Sequence, residues 1–400
     1  MSRGNGMRVC HVTTFWPNRY GFTHYLDALI KGMRANRPEK HFIAAEGDTL
    51  RADTEEYECV PCFRRDDDYV DGLARTILSF EPDIVIFQYG DDVFGMDERF
   101  VRLLDRLNEE AVPTIVNQHS IFPPHWKCKF GAWRTTGAFD REVARLASRV
   151  WVHSNVMKRH LYLRGVPEEK VVVIPHGTPI ERPLDAVECK KRLGIQPDAP
   201  TVLFFGFIWH GKGLDFLLRA FKRLVARVPN AVLYVGGYVR YKKPHYMLYQ
   251  KYIEGLVKLL GLSSNVRFWG DYVPDEMAPV MLSAADLVAM PYRQDYSSVS
   301  GVVHQTAGMG KLMLCSRIYK FLEVGENISQ SLLVRSGDLE GWAEAMERLL
   351  LDGKKAQALK KKTRAWARST SWENVGRMVL RVCDELAAET PRCGSAMAAG

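Results

Sequence analysis

Short apolar runs and segments with apolar residues at helical spacing alternate along this chain. In the first half, the apolar runs that predict strands are residues 9–13, 83–87, 114–116, 149–152 and 171–174. Residues 25–33 and 155–163 carry apolar side chains at helical spacing. Strands that alternate with helices are typical of a parallel sheet covered by helices on both faces.

The alternation restarts after a polar, proline-bearing segment at residues 179–200. Apolar runs at 201–205, 231–235, 266–269 and 287–290 predict further strands, and residues 214–228 predict an amphipathic helix. We therefore predict two doubly wound α/β domains, residues 1–178 and 179–370, then a last helix at 371–390 and a disordered tail at 391–400. In such folds ligands bind at the carboxyl ends of the strands, so we expect a site between the domains.

The loop between residues 286 and 311 has the pattern of an anion site. An apolar run ends at Pro291, a polar loop follows, and Ser300-Gly301 precedes the apolar pair Val302-Val303. Serine can cap a helix and glycine lets the backbone approach a ligand. Unpaired N–H groups and the positive end of the helix dipole favour an anion there. We predict that this loop holds a diphosphate; the alternative is an ordinary strand–helix connection.

Composition narrows the class of protein only slightly. The chain has 400 residues, 46% hydrophobic and 26% charged, as in soluble globular proteins, and a net charge of +8 that favours an anionic ligand, membrane surface or nucleic acid. We expect a cytoplasmic protein, because no apolar run reaches the length of a membrane-spanning helix and the first residues lack a signal-peptide pattern. Cys59 and Cys62 form the one close cysteine pair, without a second pair at zinc-finger spacing, so we predict reduced thiols and no metal.

Several short motifs occur in an order that resembles a known family. They are Val173-Ile-Pro-His-Gly177, Phe205-Gly206-Phe207 with Lys212-Gly213-Leu214-Asp215, Phe268-Trp269-Gly270-Asp271-Tyr272, Ala285-Asp286, Gly310-Lys311 and Ser371-Trp372-Glu373. The chain resembles the retaining GT-B glycosyltransferases of glycosyltransferase family 4. The resemblance implies two Rossmann-like domains, with helix 371–390 crossing back to the first domain. It also implies metal-independent, cofactor-independent sugar transfer from a nucleoside-diphosphate donor, with retention of configuration.

In the second domain, the resemblance assigns donor-binding roles to Gly206, Lys212, Tyr272 and the turn Ser300-Gly301-Val302. The matching lysine contacts the donor diphosphate in the family, and we expect Lys212 to face the 286–311 loop across the cleft between the domains. The loop that contains Tyr272 holds the nucleotide base through backbone groups. An exposed lysine and ordinary core aromatics are the alternatives.

In the first domain, the resemblance points to Gly21 and His119. Tyr20-Gly21-Phe22 matches a loop near the donor phosphate and the acceptor, although a simple turn has the same pattern. His119 matches a histidine that touches the donor sugar, and we predict this role for it against a purely structural one. Ser154 matches a helix-start serine, for which we predict no catalytic function.

The chain departs from the family pattern at two places. Ser297 and Gln305 stand where the family has paired glutamates; Gln305 can still hydrogen-bond ribose hydroxyls. Phe207, Ile208 and Trp209 occupy the loop that usually carries a diphosphate-binding arginine, for which His210 or Arg293 could compensate. These departures favour one alternative, a catalytically silent GT-B scaffold that regulates another transferase.

Residues 237–252 interleave aromatic and basic side chains. Such a segment can meet a lipid head group at the inner membrane face, a carbohydrate or lipid-linked acceptor, or single-stranded nucleic acid. A solvated loop and helix start are the plain alternative. No recognised nucleic-acid module accompanies the segment, so we disfavour nucleic acid as a partner.

Overall fold

The structure, a computed structural model, describes residues 6–18, 21–124, 135–239, 244–293 and 296–389. The chain forms two compact α/β units. Unit 1 consists of Met1–Gly177, Tyr296–Val299 and Trp372–Gly400, and unit 2 of Thr178–Asp295 and Ser300–Ser371. The short segment Tyr296–Val299 lies within the predicted second domain by sequence but groups with unit 1.

Unit 1 is built on an eight-stranded sheet of order β3-β4-β2-β1-β5-β6-β8-β9, parallel except for β3. Its strands are β1 (Val9–Thr13), β2 (His41–Glu46), β3 (Ala52–Asp53), β4 (Tyr57–Phe63), β5 (Ile84–Tyr89), β6 (Thr114–Gln118), β8 (Arg149–Val152) and β9 (Val171–Val173). A separate antiparallel pair joins β7 (Ser120–Ile121) to β14 (Ser297–Ser298). The strand order reverses between β1 and β5, and this reversal places a candidate ligand site at their carboxyl ends.

The helices of unit 1 are α1 (Gly21–Arg34), α2 (Val70–Ser79), α3 (Glu98–Glu109), α4 (Thr136–Leu146), α5 (Asn155–Tyr162) and α14 (Trp372–Glu389). The C-terminal helix α14 packs closely on α1. A Cβ at Gly32 would lie 2.2 Å from the Trp372 carbonyl oxygen, and one at Gly376 would lie 2.3 Å from the Gly32 carbonyl carbon. The two glycines therefore allow the helix backbones to touch.

Unit 2 has a six-stranded, all-parallel sheet of order β12-β11-β10-β13-β15-β16. The strands are β10 (Thr201–Phe205), β11 (Val232–Gly236), β12 (Val266–Phe268), β13 (Leu287–Met290), β15 (Leu312–Ser316) and β16 (Leu333–Val334). Numbered by position in the chain, this is the Rossmann order 3-2-1-4-5-6, which reverses between β10 and β13. The loop that was predicted to bind an anion follows β13, which is one of the two strands at the reversal point.

The helices of unit 2 are α6 (Ala186–Arg192), α7 (Leu214–Val225), α8 (Pro244–Leu259), α9 (Met277–Ala284), α10 (Gly301–Gly308), α11 (Leu322–Asn327), α12 (Leu339–Leu351) and α13 (Gly353–Ser369). In the described part of the chain there are also four 3-10 turns, which are Glu168–Lys170, His210–Lys212, Tyr319–Phe321 and Gln330–Leu332. Helix α6 lies in the segment read from sequence as a polar connection. Its Cys189 and Lys190 are buried, so this segment is part of the unit 2 core.

Most of the apolar runs that predicted strands are buried in the two sheets; the edge strand β12 is the exception, with Arg267 and Phe268 exposed. The side chains of β1, β5, β13 and β15 all lie in the interior, as expected for parallel strands covered on both faces. The α/β prediction with two parallel sheets is confirmed. Among the described residues, no helix is both long and apolar enough to cross a bilayer.

Candidate active site

The reversal point of the unit 2 sheet brings two loops into direct contact. The loop after β10 contains two left-handed glycines, Gly206 with φ of +114° and Gly213 with φ of +68°. A Cβ at Gly213 would lie 2.1 Å from the Pro291 carbonyl oxygen, and one at Gly206 would lie 3.9 Å from Val302 Cγ2. Both positions favour glycine because of backbone conformation, and Gly213 also because of the close approach. The structure therefore brings close together Gly206 and Val302, two of the residues that were predicted to bind the donor.

Lys212 lies in this contact, in the 3-10 turn before α7. Its Nζ is 3.6 Å from the centroid of the Tyr292 ring, a cation–π arrangement with the residue that follows Pro291. Lys212 and the 286–293 and 300–311 parts of the loop belong to unit 2. The expectation that they face each other across a cleft between domains is wrong, because the chain folds both onto the same edge of one sheet.

The pKa of Lys212 is held well below its ordinary value, first by burial and then by the nearby charge of Lys320. Sequence alone predicted a flexible cation that reaches out to a phosphate. The side chain is instead partly buried, and the surrounding protein disfavours its charged form. An anion bound beside the Lys212 ammonium would stabilise its charged form and raise its pKa again.

Helix α10 begins where the resemblance placed the anion site. Ser300 is its N-cap residue and is buried, while Gly301 is exposed and Val302 is half-buried. Within the described residues, the Ser300 side chain accepts no hydrogen bond from the first turn, so Ser300 is the N-cap residue by position only. Among the described residues, the Val303 N–H donates to the Ser300 carbonyl, which leaves the Gly301 and Val302 N–H groups for solvent or a ligand.

The buried His304 of α10 forms hydrogen-bond contacts that hold this helix in place. His304 Nδ1 lies 2.7 Å from Thr178 Oγ1, whose hydroxyl is also 2.7 Å from Thr370 Oγ1. The Thr178 backbone N–H donates to the Thr370 carbonyl at 2.7 Å. These buried contacts fix the helix relative to the first and last segments of unit 2.

Ser297 and Gln305, the two positions at which the resemblance led us to expect glutamates, belong to different units. Gln305 is exposed on α10, one turn beyond Gly301. Ser297 is buried in β14, pairs with Ile121 of β7, and shares a hydrogen bond with His160 Nδ1. Ser297 therefore belongs to unit 1, whereas Gln305 belongs to unit 2.

Arg293 is held at the edge of the unit 2 site. Its Nη2 donates to Asp215 Oδ2 at 2.8 Å, and its Nη1 lies 3.1 Å from His210 Nε2. Asp215 also accepts a hydrogen bond from the Tyr249 hydroxyl at 2.9 Å. The guanidinium that was expected to compensate for the missing arginine is thus already paired with a carboxylate.

Tyr272 follows β12, at the far side of the same sheet edge. Its ring lies 5.3 Å from that of Tyr238, which in turn lies 5.3 Å from Phe207. The Tyr272 carbonyl accepts a hydrogen bond from Trp269 Nε1 at 3.0 Å. The three aromatic rings therefore form a row along the carboxyl ends of β10, β11 and β12.

In unit 1, His119 follows β6 and both its ring nitrogens face protein groups. Nε2 lies 3.0 Å from Gln88 Oε1 and Nδ1 lies 3.3 Å from His153 Nε2. Burial, followed by His153 and His176, lowers the pKa of His119 well below its ordinary value. The imidazole is therefore neutral at physiological pH and held in one orientation.

The hydrogen bonds around His119 determine which of its two ring nitrogens carries the proton. His153 Nδ1 faces the Ile174 carbonyl at 3.2 Å and must donate to it. If His153 is neutral, its Nε2 accepts and His119 Nδ1 donates. His119 Nε2 then accepts, which requires the Gln88 amide to present its NH₂ group and the Asn117 amide, whose Nδ2 lies 2.9 Å from Gln88 Oε1, to turn as well.

A cavity of about 260 Å³ adjoins His119 at the reversal point of the unit 1 sheet. Asp91 and Asp92, which follow β5, line it together with the rings of Phe22 and Tyr296. A Cβ at Gly90 would lie 2.5 Å from Phe22 Cζ, so a larger residue there would displace the Phe22 ring. Sequence reasoning missed this group of side chains, which only the folded sheet edge brings together.

Gly21 begins α1 and is exposed, with no described atom within 4 Å of a Cβ built on it. The neighbouring Phe22 lies against His119, with 4.8 Å between the ring centroids. Tyr20 and residues 240–243 lie outside the described residues. Ser154 caps α5 by accepting from Met157 N–H, so its predicted helix-start role is confirmed.

The cysteine pair of the sequence lies in strand β4 and has the properties of buried thiols. Burial raises the pKa of Cys59 to about 12 and that of Cys62 to about 11. Among the described residues, no group of three or more His, Cys, Asp or Glu side chains could hold a metal ion.

Two family models match successive parts of the chain. The model described as "Glycosyltransferase Family 4" matches residues 21–182, and the one described as "Glycosyl transferases group 1" matches residues 199–352. The chain belongs to the group 1, family 4 glycosyltransferases. The two matches fall in the two Rossmann-like units, in the order that the motifs predicted.

A curated relative agrees with this family, and two solved structures agree with the fold. A D-inositol 3-phosphate glycosyltransferase of Nocardia farcinica is 29% identical over 251 residues, 60% of this chain and 53% of that protein. The chain spans about half the length of the curated relatives it matches. HepE of Anabaena, solved with UDP, has a TM-score of 0.75 at 17% identity, covering 95% of this chain and 100% of that chain. Sucrose-phosphate synthase of Thermosynechococcus elongatus has a TM-score of 0.71 at 17% identity, covering 96% and 100%. The GT-B fold prediction is confirmed.

Proposed function

We propose that the protein is a glycosyltransferase that moves a sugar from a nucleoside-diphosphate donor to a hydroxyl group of a carbohydrate or lipid-linked acceptor. The observation that carries this proposal is the meeting of Lys212, Tyr292 and the start of α10 at the reversal point of the unit 2 sheet. A lysine and a helix N-terminus at one sheet edge are the two features that a diphosphate requires.

In the proposed reaction, the acceptor oxygen bonds to the anomeric carbon as the bond to the diphosphate oxygen breaks. The acceptor attacks from the face that the diphosphate leaves, and its proton passes to a leaving phosphate oxygen, so configuration is retained. Lys212 and the first N–H groups of α10 stabilise the charge that grows on the diphosphate, without a metal ion. Each such donor is worth a few kcal/mol of barrier in comparable sites.

The depressed pKa of Lys212 has a role in this mechanism. In the free enzyme the protein environment disfavours the ammonium form. A bound diphosphate stabilises that form, so donor binding is coupled to proton uptake whenever the pH lies above the free-state pKa. Lys212 is then fully protonated when the leaving diphosphate acquires its negative charge.

We assign acceptor binding to unit 1, in the cavity beside His119. Its carboxylates can accept hydrogen bonds from sugar hydroxyls and its aromatic rings can pack against a sugar face. His119 positions the transferred sugar through the edge of its neutral ring. Helix α8 in unit 2 exposes Met247 and Leu248 beside Lys251, and we propose it for contact with an acidic membrane when the acceptor is lipid-linked.

Uridine diphosphate sugars are the first donors to test, because HepE has been solved with UDP and with UDP-glucose. Calorimetric titration with uridine, guanosine and adenosine diphosphates establishes whether the site binds nucleotide. A free-diphosphate release assay with the matching nucleotide-sugars then measures turnover. Binding of one nucleoside diphosphate, together with diphosphate release from the nucleotide-sugar of the same base, supports the transferase proposal.

The catalytically silent scaffold remains the second candidate, because Ser297 and Gln305 replace two carboxylates. Failure of all three nucleoside diphosphates to bind would favour the scaffold over the transferase. Binding without diphosphate release from any nucleotide-sugar, in the presence of a panel of sugar acceptors, would also favour it.

A further inference from the structure

The cavity beside His119 in unit 1 has aromatic walls. Its described lining includes the rings of Phe22, Phe122 and Tyr296. The Phe122 and Tyr296 rings lie 5.1 Å apart, and the Phe22 ring lies 4.8 Å from that of His119. Two ring pairs therefore bound a space of about 260 Å³. Rings around such a space can pack against the face of a sugar.

Two neighbouring carboxylates, those of Asp91 and Asp92, belong to the same lining. A Cβ built on Gly90 would lie 2.6 Å from Asp92 Oδ1 and 2.5 Å from Phe22 Cζ. The Asp92 carboxylate and the Phe22 ring thus approach each other across Gly90. The charge of Asp91 adds to the effect of burial in raising the pKa of the Tyr296 hydroxyl, so this carboxylate acts on the second ring pair.

Asp91 has no polar partner in the described part of the chain. Its side chain is half-buried and forms no hydrogen bond or ion pair with a described residue. A carboxylate that is partly removed from water is stabilised only if hydrogen-bond donors or a cation reach it. The donors for Asp91 therefore have to come from solvent or from a ligand in the cavity.

The described residues that line the cavity bring no positive charge to it. They include neither lysine nor arginine. His119 is the basic residue among them, and burial holds its pKa well below its ordinary value, so its ring is neutral. The charge in this lining is therefore that of its carboxylates.

The surroundings behind Asp92 are acidic as well. Burial raises the pKa of Glu46, and the charges of Asp48 and Asp92 raise it further, while Arg65 offsets part of this rise. The Arg65 Nη1 donates to the Asp92 carbonyl oxygen at 3.1 Å, and Arg64 Nη1 lies 3.8 Å from Asp48 Oδ1. These two guanidiniums balance the carboxylates behind the cavity and leave the charge of Asp91 unmatched.

We propose that this cavity binds an unphosphorylated sugar of the acceptor and that Asp91 is the residue that selects it. The inference rests on the proposed function and names the class of acceptor. The sugar's hydroxyl groups donate to the Asp91 carboxylate, and one sugar face packs on the aromatic rings. A phosphate group on the same sugar would bring like charges together in a poorly solvated space, which opposes binding.

The test compares three sugars with their monophosphates as acceptors for the wild type: glucose, mannose and inositol. The diphosphate release assay measures kcat/KM for each acceptor with the nucleotide-sugar that the protein uses. We expect each monophosphate to be used at least about tenfold less efficiently than its parent sugar, because the carboxylates repel it. Salt should narrow this ratio, since it screens the repulsion, and should leave the parent sugars unaffected.

Asp91→Asn removes the charge and keeps the shape of the side chain. This variant should narrow the ratio about threefold or more by improving the use of the monophosphates. Its affinity for the nucleoside diphosphate should stay within about twofold of the wild type, because the proposed diphosphate site lies in unit 2. Asp91→Glu keeps the charge and should keep the wild-type ratio. Asp105→Asn, exposed on α3 of the same unit, is the matched control and should behave as the wild type.

Several results would overturn the inference and leave the proposed function standing. One is equal use of a sugar and its monophosphate by the wild type. Another is an unchanged ratio in a folded Asp91→Asn variant, as judged by its melting temperature. If that variant does not fold, a wild-type ratio that is independent of salt would overturn the inference. A wild type that binds no nucleoside diphosphate, or releases none with any of these acceptors, would instead remove the proposed function, and the inference with it.

Discussion

The Lys212 ammonium lies 3.6 Å from the centre of the Tyr292 ring and so joins the loops that follow β10 and β13. These are the two strands between which the unit 2 sheet reverses its order. A cation held against an aromatic face at that point is both desolvated and oriented. Its environment, more than its residue type, supports the proposed ligand-binding role.

Replacement of Lys212 by Ala should cut sugar transfer about a hundredfold, because a donor to the leaving diphosphate is lost. The fold should survive, since Tyr292 stays packed against Phe321. Transfer rates and melting temperature measure the two effects. Lys222→Ala, on the exposed face of α7, serves as control and should match the wild type. Near-normal transfer by the Lys212 variant would exclude the phosphate role.

Gly213→Ala should destabilise unit 2 and impair donor binding together. The new Cβ would lie 2.1 Å from the Pro291 carbonyl, at a φ of +68° that alanine disfavours, at a cost of about 1–3 kcal/mol. In contrast, Gly255→Ala in helix α8 meets no described atom within 4 Å and should stabilise by about 0.5–1 kcal/mol. Thermal unfolding compares the pair. A Gly213 variant as stable as the wild type would show that the two loops are not in contact.

His119→Ala should slow transfer at least about tenfold and change nucleoside-diphosphate affinity less than about threefold, because His119 lies in unit 1 and the proposed diphosphate site in unit 2. Steady-state rates and calorimetry give the two quantities. His24→Ala, exposed on α1, controls for the loss of a histidine from the same unit. Equal losses of transfer and of nucleotide affinity would contradict the sugar-positioning role.

Glu323 should make the stability of unit 2 depend on pH. Its pKa is about 8 in the folded protein and near 4.5 when unfolded, so the folded state binds the extra proton between these values. Below pH 4.5, protonated Glu323 makes its full contribution to the free energy of unfolding. This contribution is lost as the pH rises towards 8, by at most about 1.4 kcal/mol per pH unit.

Glu323→Gln removes this titration and keeps the shape of the side chain. The wild type should therefore lose melting temperature relative to Glu323→Gln between pH 5.5 and pH 8. Glu344→Gln, on the exposed face of α12, should follow the wild-type profile throughout. Parallel profiles for the wild type and Glu323→Gln would show that Glu323 stays ionised in the fold.

Local sequence was sufficient for several strands that are buried on both faces, although β15, which is buried throughout, was not predicted. Residues 201–205 and 287–290 are uninterrupted apolar runs, and both became central strands of a parallel sheet. Strand β4 was missed because its run contains polar and proline residues, with only part of the strand buried. Helix α6 was missed because the surrounding polar and proline residues resemble a connection.

The sequence by itself determined the two Rossmann-like units, the family, and the loop in which a diphosphate site was to be sought. These features depend on apolar periodicity and short motifs, which are properties of neighbouring residues. Only the tertiary structure decided that Lys212 lies against Tyr292 and that Ser297 joins the unit 1 strand β7. Burial, pairing and charge coupling arise between residues far apart in the chain, so no local pattern can encode them.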